Sequence, residues 1–419
     1  MIRKVHLQQA LRRLGPGLIT GAADDDPSGI ATYSQAGAQF GYGLLWTLVL
    51  TLPLMTAIQM VSARIGHVSG HGLAANIKRH FPRPVLLAIV GMLLLANTLN
   101  IAADIAAMAE ALRLVVGGSA HVYAVTFGLL CLVMQVFVPY ERYVRWLKWL
   151  TLALLAYVAL VFSLRLDWGQ VLRALVWPQV SWSHELLLTV VAVLGTTISP
   201  YLFFWQAAQE MEDKQSGAGQ PHTPQEVRSH LRRIRWDTLI GMGFSNLIAF
   251  CIMLATGATL HQAGVTDIQS SAQAAEALRP LAGELAFALF ALGIVGTGLL
   301  AVPVLAGSAA YAVAEAAGWQ GSLSLRLDRG EGRGFYGVVA AATMGGVLLC
   351  FTPTDPVREL FWSAVLNGVI AVPIMAVMMW LATRRKAMGR HVVGRPLAAL
   401  GWLATALMGV TVLAMLLSA

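Results

Sequence analysis

Charge is scarce in this sequence. Only 12% of its 419 residues are Asp, Glu, Lys or Arg, while 57% are hydrophobic and the mean hydropathy is +0.67. Soluble domains carry about 25% charged residues, so this balance excludes a soluble globular domain. Cysteine is almost absent. Cys131, Cys251 and Cys350 each sit in an apolar run without a CxxC neighbour, which excludes a disulfide framework and a zinc site. There is no Walker motif, no phosphate-cradling glycine loop and no HExxH. The chain therefore reads as neither an ATPase nor a membrane protease, and as no enzyme with a resident cofactor. His67, His71, His80, His222 and His230 fall in polar connections without metal-ligand spacing and read as solvated.

What is present in abundance is membrane-length apolar sequence. Eleven segments qualify, at residues 16–40, 44–65, 85–113, 121–139, 145–165, 184–209, 236–260, 282–315, 335–352, 356–383 and 396–418; about 20 apolar residues cross a bilayer. The first carries acidic residues and leads into more membrane, so it is not read as a cleavable signal. The net charge of +8 is a matter of topology. With the N-terminus placed in the cytoplasm, 24 of the 29 Lys and Arg fall in cytoplasmic connections and 5 on the other side. The positive-inside rule then puts the N-terminus in the cytoplasm and the C-terminus outside a multi-pass cell-membrane protein. The basic loops point to anionic lipid and not to nucleic acid.

The first apolar segment is interrupted by Gly21-Ala22-Ala23-Asp24-Asp25-Asp26-Pro27-Ser28-Gly29. An ionised carboxylate at bilayer depth costs a few kcal/mol or more and normally faces a cavity or an ion. Pro27 removes a backbone donor and Gly29 lowers helix propensity. Two half-helices joined by unwound residues follow, an arrangement tolerated only where it is buried in protein or lines a cavity. Asp26 lies ten residues past Pro16, about 15 Å along a helix and half the hydrocarbon thickness. Asp24 to Asp26 as a simple N-cap in a soluble loop is the alternative, and the apolar flanks argue against it. A second interruption, Gly195-Thr196-Thr197-Ile198-Ser199-Pro200-Tyr201, sits in the sixth segment. Pro27 and Pro200 are 173 residues and five segments apart, on segments that run in opposite directions. That symmetry predicts two five-helix repeats of inverted topology, 16–165 and 166–383, each opening on a broken helix. Residues 1–15 form a cytoplasmic N-terminus, and 384–419 hold the eleventh helix.

Other polar residues within the apolar segments are candidates for the ion pathway. Asn97, Asn100 and Asp104 share one face of the third segment, with interhelical hydrogen bonding as the alternative role. Asn367 either touches the site or caps a local break. Gln59 reads as structural glue, and Glu284 and Glu315 as interfacial.

These residues resemble a known family. Asp26-Pro27 followed by Gln35-Ala36-Gly37-Ala38-Gln39-Phe40-Gly41-Tyr42-Gly43-Leu44-Leu45-Trp46 looks like the first helix and following turn of the NRAMP divalent-metal transporters. Ser62-Ala63-Arg64-Ile65-Gly66 and Ser69-Gly70-His71-Gly72-Leu73-Ala74 resemble the second helix and its loop, Ala102-Ala103-Asp104 the third, and Leu366 to Pro373 the tenth. The resemblance runs from about Gly15 to Trp380. It implies an all-α integral membrane protein of the LeuT-type 5+5 inverted repeat, with helices 1 and 6 broken, alternating access, and a divalent cation as cargo. It further implies a metal seat formed by Asp26, Ser28, Gly29, Thr196, Ser199 and Tyr201. Asp24, Asp25, Asn97, Asn100, Asp104, Gln206 and Asn367 would line the pathway or support the seat. The partners are then the divalent ion and the lipid bilayer, and nothing calls for a second copy of the chain.

The departures from the family carry a chemical direction. The family's Asp-Pro-Gly-Asn is here Asp26-Pro27-Ser28-Gly29, and its Met-Pro-His is Ser199-Pro200-Tyr201. A second His five residues on is Gln206, and a Glu three residues after the third-helix Asp is Ala107. A soft sulfur ligand favours transition metals; its loss leaves oxygen donors, which suit Mg²⁺, Ca²⁺ or Mn²⁺. Gly and Ser would also enlarge the seat, suiting an ion that keeps its waters. The pattern resembles the NRAMP-related magnesium transporters, and it predicts Mg²⁺ as the main cargo with Mn²⁺ tolerated and no obligatory proton. A proton-coupled Mn²⁺/Fe²⁺ importer is the alternative, to be separated by metal competition and proton flux. An amino-acid symporter on the same fold is disfavoured, since three acids at the break repel a carboxylate. A metal-sensing receptor lacks a sizeable soluble output domain.

Overall fold

The structure is a computed structural model that describes residues 16–138, 142, 150–178, 183–216, 224–323, 325, 327, 331–352 and 354–418. The expected cytoplasmic stretch 1–15, the start of the fifth segment at 145–149, most of the 215–223 loop and His222 lie outside the described residues.

Every regular element among the described residues is a helix. The elements are α1 (Pro16–Asp24), α2 (Pro27–Phe40), α3 (Leu45–Ser69), α4 (Leu73–His80), α5 (Arg83–Val116), α6 (Ala120–Phe137), α7 (Leu155–Ser163), α8 (Trp168–Val176), α9 (His184–Thr197), α10 (Pro200–Ser216), α11 (Pro224–Thr256), α12 (Ser271–Glu276), α13 (Arg279–Ala282), α14 (Ala286–Ala317), α15 (Arg333–Leu349), α16 (Pro356–Thr383), α17 (Arg385–Met388) and α18 (Arg395–Leu417). Among the described residues, eight spans are long and apolar enough to cross a membrane by themselves, α9 and α10 being taken as one. The α1–α2 pair, α7 and the shorter α15 supply the other apolar segments read from the sequence.

Both breaks are built alike. Asp25 and Asp26 are the unwound residues between α1 and α2, and Ile198 and Ser199 those between α9 and α10. Each second half-helix opens on proline, Pro27 or Pro200. Proline fits that first position because its missing N–H has no partner there in any helix.

Close packing places the half-helices. α1 lies on α11, where a side chain at Gly21 would collide with the Gly241 carbonyl. α9 lies on α16, where one at Gly195 would collide with the Ala364 carbonyl. Two backbones approach this closely only where both helices present small residues. Gln59 and Ser62 of α3 donate to the carbonyls of Leu202 and Phe203 in the first turn of α10. That is the structural role expected of Gln59.

Several connections differ from their sequence reading. α11 begins about a dozen residues before the apolar core of its segment. The stretch after the fifth segment contains α8, an amphipathic helix turned 119° from the one before it. His67 is buried rather than solvated, its ring 5.1 Å from that of His230. Glu315 is not a loose interfacial acid: it accepts from the Ala75 N–H at 3.0 Å and so caps the first turn of α4.

Candidate cation site

The first break is organised by Asp26. As the N-cap of α2 it has extended backbone, and its Oδ1 accepts from the Gly29 N–H at 2.7 Å and the Ser28 hydroxyl at 2.9 Å. A carboxylate capping a helix N-terminus is favoured by the exposed N–H groups and the helix dipole. Its Oδ2 faces the bundle. It accepts from Asn100 Nδ2 of α5 at 3.2 Å and lies 3.4 Å from the Tyr201 hydroxyl of α10. That hydroxyl is closer, at 2.9 Å, to the carbonyl of Ala23, where α1 ends. Asn367 Nδ2 of α16 donates in turn to Asn100 Oδ1 at 3.3 Å. Both breaks and the third and tenth apolar segments thus meet within one hydrogen-bonded group.

Three more acids are buried in the same part of the bundle, too dispersed to form a metal cage with it. Asp24, Asp25, Asp26 and Asp104 are all at most 2% exposed. Ser245 of α11 donates towards both Asp24 Oδ2 (2.6 Å) and Asp25 Oδ1 (3.0 Å). A hydroxyl has one proton to give, so it serves one of the two at a time. Neither oxygen of Asp104 has a hydrogen-bond partner among the described residues. None of the four acids forms an ion pair among the described residues. Buried carboxylates without a cationic neighbour are costly, and a positive ion among them removes that cost.

The sequence-predicted residues divide into two groups. Asp26, Asn100, Tyr201 and Asn367 come together. Thr196 faces the seat from α9, its hydroxyl 3.3 Å from where a side chain at Gly29 would begin. Ser28 orients the Asp26 carboxylate. Ser199 donates back to the Gly195 and Thr196 carbonyls at the end of α9. Asn97 is bound to the Leu305 carbonyl and the Ser308 hydroxyl of α14, the interhelical alternative. Gln206 donates to Thr238 of α11, on the α1 side of the break. A side chain at Gly29 would begin in contact with the Thr196 hydroxyl and with the Tyr33 ring, which is 3.4 Å from the same point.

A cavity of about 230 Å³ leads towards the seat from the side into which α2 runs. Gln35, Gln39, Glu185, Thr189, Asp267 and Arg358 give it a polar wall, and it reaches Ala31, five residues past Asp26. On the opposite side α1 is held down on α11, with the Gly17 N–H donating to Asp237 Oδ2 at 2.8 Å. Nearby, Arg233 spans Glu210 at 2.9 Å and Asp213 at 2.8 Å. Neither Ser245 nor the cavity wall is marked by the sequence. Ser245 is one serine in a long apolar helix, and the wall comes from helix ends and a loop distant in sequence. No three His, Cys, Asp or Glu side chains converge among the described residues. The groups that do meet at the first break are one carboxylate, two amides, a phenol hydroxyl and a backbone carbonyl.

Two broken helices crossing at mid-bundle, unwound where a buried carboxylate meets amides from two further helices, define the inverted-repeat class of membrane transporter. The chain belongs to the Nramp family: residues 17–418 match the model of natural resistance-associated macrophage protein-like proteins. It is 31% identical over 295 residues to the divalent metal cation transporter MntH of Aeromonas hydrophila, covering 69% of this chain and 70% of that one. It is 27% identical over 391 residues to MntH of Verminephrobacter eiseniae, covering 90% and 82%. The crystal structure of the Eremococcus coleocola manganese transporter, bound to an aromatic bis-isothiourea substituted compound, superimposes with a TM-score of 0.76. It shares 18% identity and covers 98% of this chain and 88% of that one.

Proposed function

We propose that this chain carries a divalent metal cation across the membrane by alternating access, with Asp26 as its principal anionic ligand. The carrying observation is the Asp26 carboxylate, capped from one side by α2 and met on the other by Asn100 and Tyr201, with three further buried acids and no cationic side chain paired to them among the described residues. Thr196 and the carbonyls freed at the two breaks supply additional oxygens. The cavity above Ala31 and the closed contact between α1 and α11 correspond to a conformation open towards one side.

Mn²⁺ is the cargo that agrees both with the names of the relatives and with the donors. It accepts octahedral oxygen coordination, and the seat offers oxygen only. The relatives named above are MntH proteins and a manganese transporter, which gives no support to a magnesium-transporting branch. Mg²⁺ remains a second reading on one observation, that Ser199 and Tyr201 stand where the family has a thioether and an imidazole. Tyr201, Gln206 and Ala107 also replace groups that could carry protons, which supports movement down the membrane potential. A divalent ion gains about 4.6 kcal/mol per 100 mV in that way. An amino-acid cargo is disfavoured by the three buried acids at the break and by Asp104 of α5, which repel a carboxylate. Uptake of Mn²⁺ by proteoliposomes containing the purified protein, with Mg²⁺, Ca²⁺ and Fe²⁺ as competitors, tests the proposal; absence of saturable Mn²⁺ and Mg²⁺ uptake overturns it.

A further inference from the structure

A larger cavity, about 680 Å³, lies away from the seat on the flank of the bundle between α3, α11 and α18. α3 packs against both α11 and α18, but those two have no extended contact with each other, and the gap between them is the groove. Its walls are apolar: Leu52, Met60, Leu239, Leu397 and Leu400 line it. One end is basic. Arg64 and Arg235 both line the cavity there, beside Gly394 at the start of α18. Arg64 donates through Nε and Nη2 to the His391 and Val392 carbonyls, which leaves N–H groups of its fork unused. Arg235 is exposed and has no hydrogen bond or ion pair among the described residues. Trp236 beside it is 53% exposed, as is usual for an indole at a membrane interface.

The dimensions match one leaflet. Leu52 and Arg64 are twelve residues apart on α3, about 18 Å, against about 15 Å for half the hydrocarbon core. The basic end is where α3 finishes and α11 and α18 enter the membrane, the side that the Lys and Arg count assigns to the cytoplasm. That leaflet is the one rich in anionic lipid.

We propose that the groove is a binding site for an anionic phospholipid, its acyl chain against Leu52, Leu239, Leu397 and Leu400 and its phosphate between Arg64 and Arg235. An amphipathic peptide would need a wider trough, and a free anion would not need the apolar wall. The bound lipid fills the gap between α11 and α18, and so ties the eleventh helix, which lies outside the two repeats, to the helix that clamps α1.

Native mass spectrometry of the full chain tests this, after incubation in detergent with equal amounts of phosphatidylglycerol and phosphatidylcholine bearing the same acyl chains. The intact protein is expected to retain phosphatidylglycerol preferentially. Arg235→Gln should lower that retention about fivefold, the worth of one basic side chain at a membrane surface, and Arg235→Lys should restore it. Leu397→Trp, which fills the groove, should lower retention of both lipids. If Leu397→Trp does not fold, the Arg235 pair carries the test, since that side chain has no partner to lose among the described residues. Equal retention of the two lipids by the parent, or unchanged retention in Arg235→Gln, overturns the proposal. Displacement by glycerol phosphate as effective as by short-chain phosphatidylglycerol overturns it as well, by assigning the basic end to a free anion.

Discussion

Replacing Asp26 by asparagine isolates charge from structure at the seat. Asparagine caps helices as well as aspartate does, and its carbonyl oxygen can keep the bonds from the Gly29 N–H and the Ser28 hydroxyl. The amide then faces Asn100 Nδ2, a donor meeting a donor, which Asn100 relieves by rotating its own amide at the expense of the bond from Asn367. The fold should therefore lose no more than about 1 kcal/mol, one hydrogen bond's net worth. The ion loses its only directly placed charge. Removing one partner of a buried ion pair costs about 3–5 kcal/mol, a drop in affinity of about a hundredfold to several thousandfold. Alanine is a poorer probe, because it also removes the cap, at about 0.5–2 kcal/mol. The assay is concentration-dependent Mn²⁺ uptake into proteoliposomes, with reconstitution checked by protein content and monodisperse elution. A well-folded Asp26→Asn protein with an unchanged half-saturation concentration and rate refutes the reasoning.

Three other perturbations follow from the same geometry. During Mn²⁺ influx the pH inside the liposomes should stay level; acidification that scales with metal uptake and survives uncoupler controls contradicts uncoupled movement. Gly29→Asn combined with Ser199→Met should weaken inhibition of Mn²⁺ uptake by Mg²⁺ by about 1–3 kcal/mol, by analogy with losing one or two charged hydrogen bonds, while strengthening inhibition by Cd²⁺. Thr196 and Tyr33 leave little room for the Asn, so Ser199→Met alone is the control, and unchanged Mg²⁺ competition in both refutes the role given to softness. Gly21→Ala drives a methyl into the Gly241 carbonyl, so α1 should separate from α11. Alkylation of a cysteine placed at Gln206 should then quicken from the α1 side, and an unchanged rate would remove that contact from the gating account.

The broken helices are legible in the sequence because proline and glycine interrupt a membrane helix and a buried acid needs a cavity or an ion beside it. The positions of Pro27 and Pro200 add the repeat symmetry. Partner choice is less legible. Asn97 and Asn100 lie three residues apart on one helix, yet one binds α14 and the other the seat. Periodicity places both on a similar face and says nothing of which neighbour stands opposite. The neighbours of Gly29 are equally hidden from the sequence: Thr196 of α9 and Tyr33 one turn along both stand where a side chain there would begin. The clamp on α1, made by Gly241, Asp237 and Ser245, depends on which helix lies beside α1, which no local pattern in either segment specifies. α4 and α8 are too short to register as apolar segments, so hydropathy passes over them.

The central claim is that this chain moves a divalent cation through the seat at Asp26. The most direct measurement is uptake of radioactive Mn²⁺ into sealed liposomes containing the purified protein, with an inside-negative potential imposed. Transport through Asp26 gives saturable uptake that rises with the potential, falls with excess unlabelled divalent ion and is lost in Asp26→Asn. Uptake no greater than that of protein-free liposomes, or equal in the parent and Asp26→Asn, would contradict it.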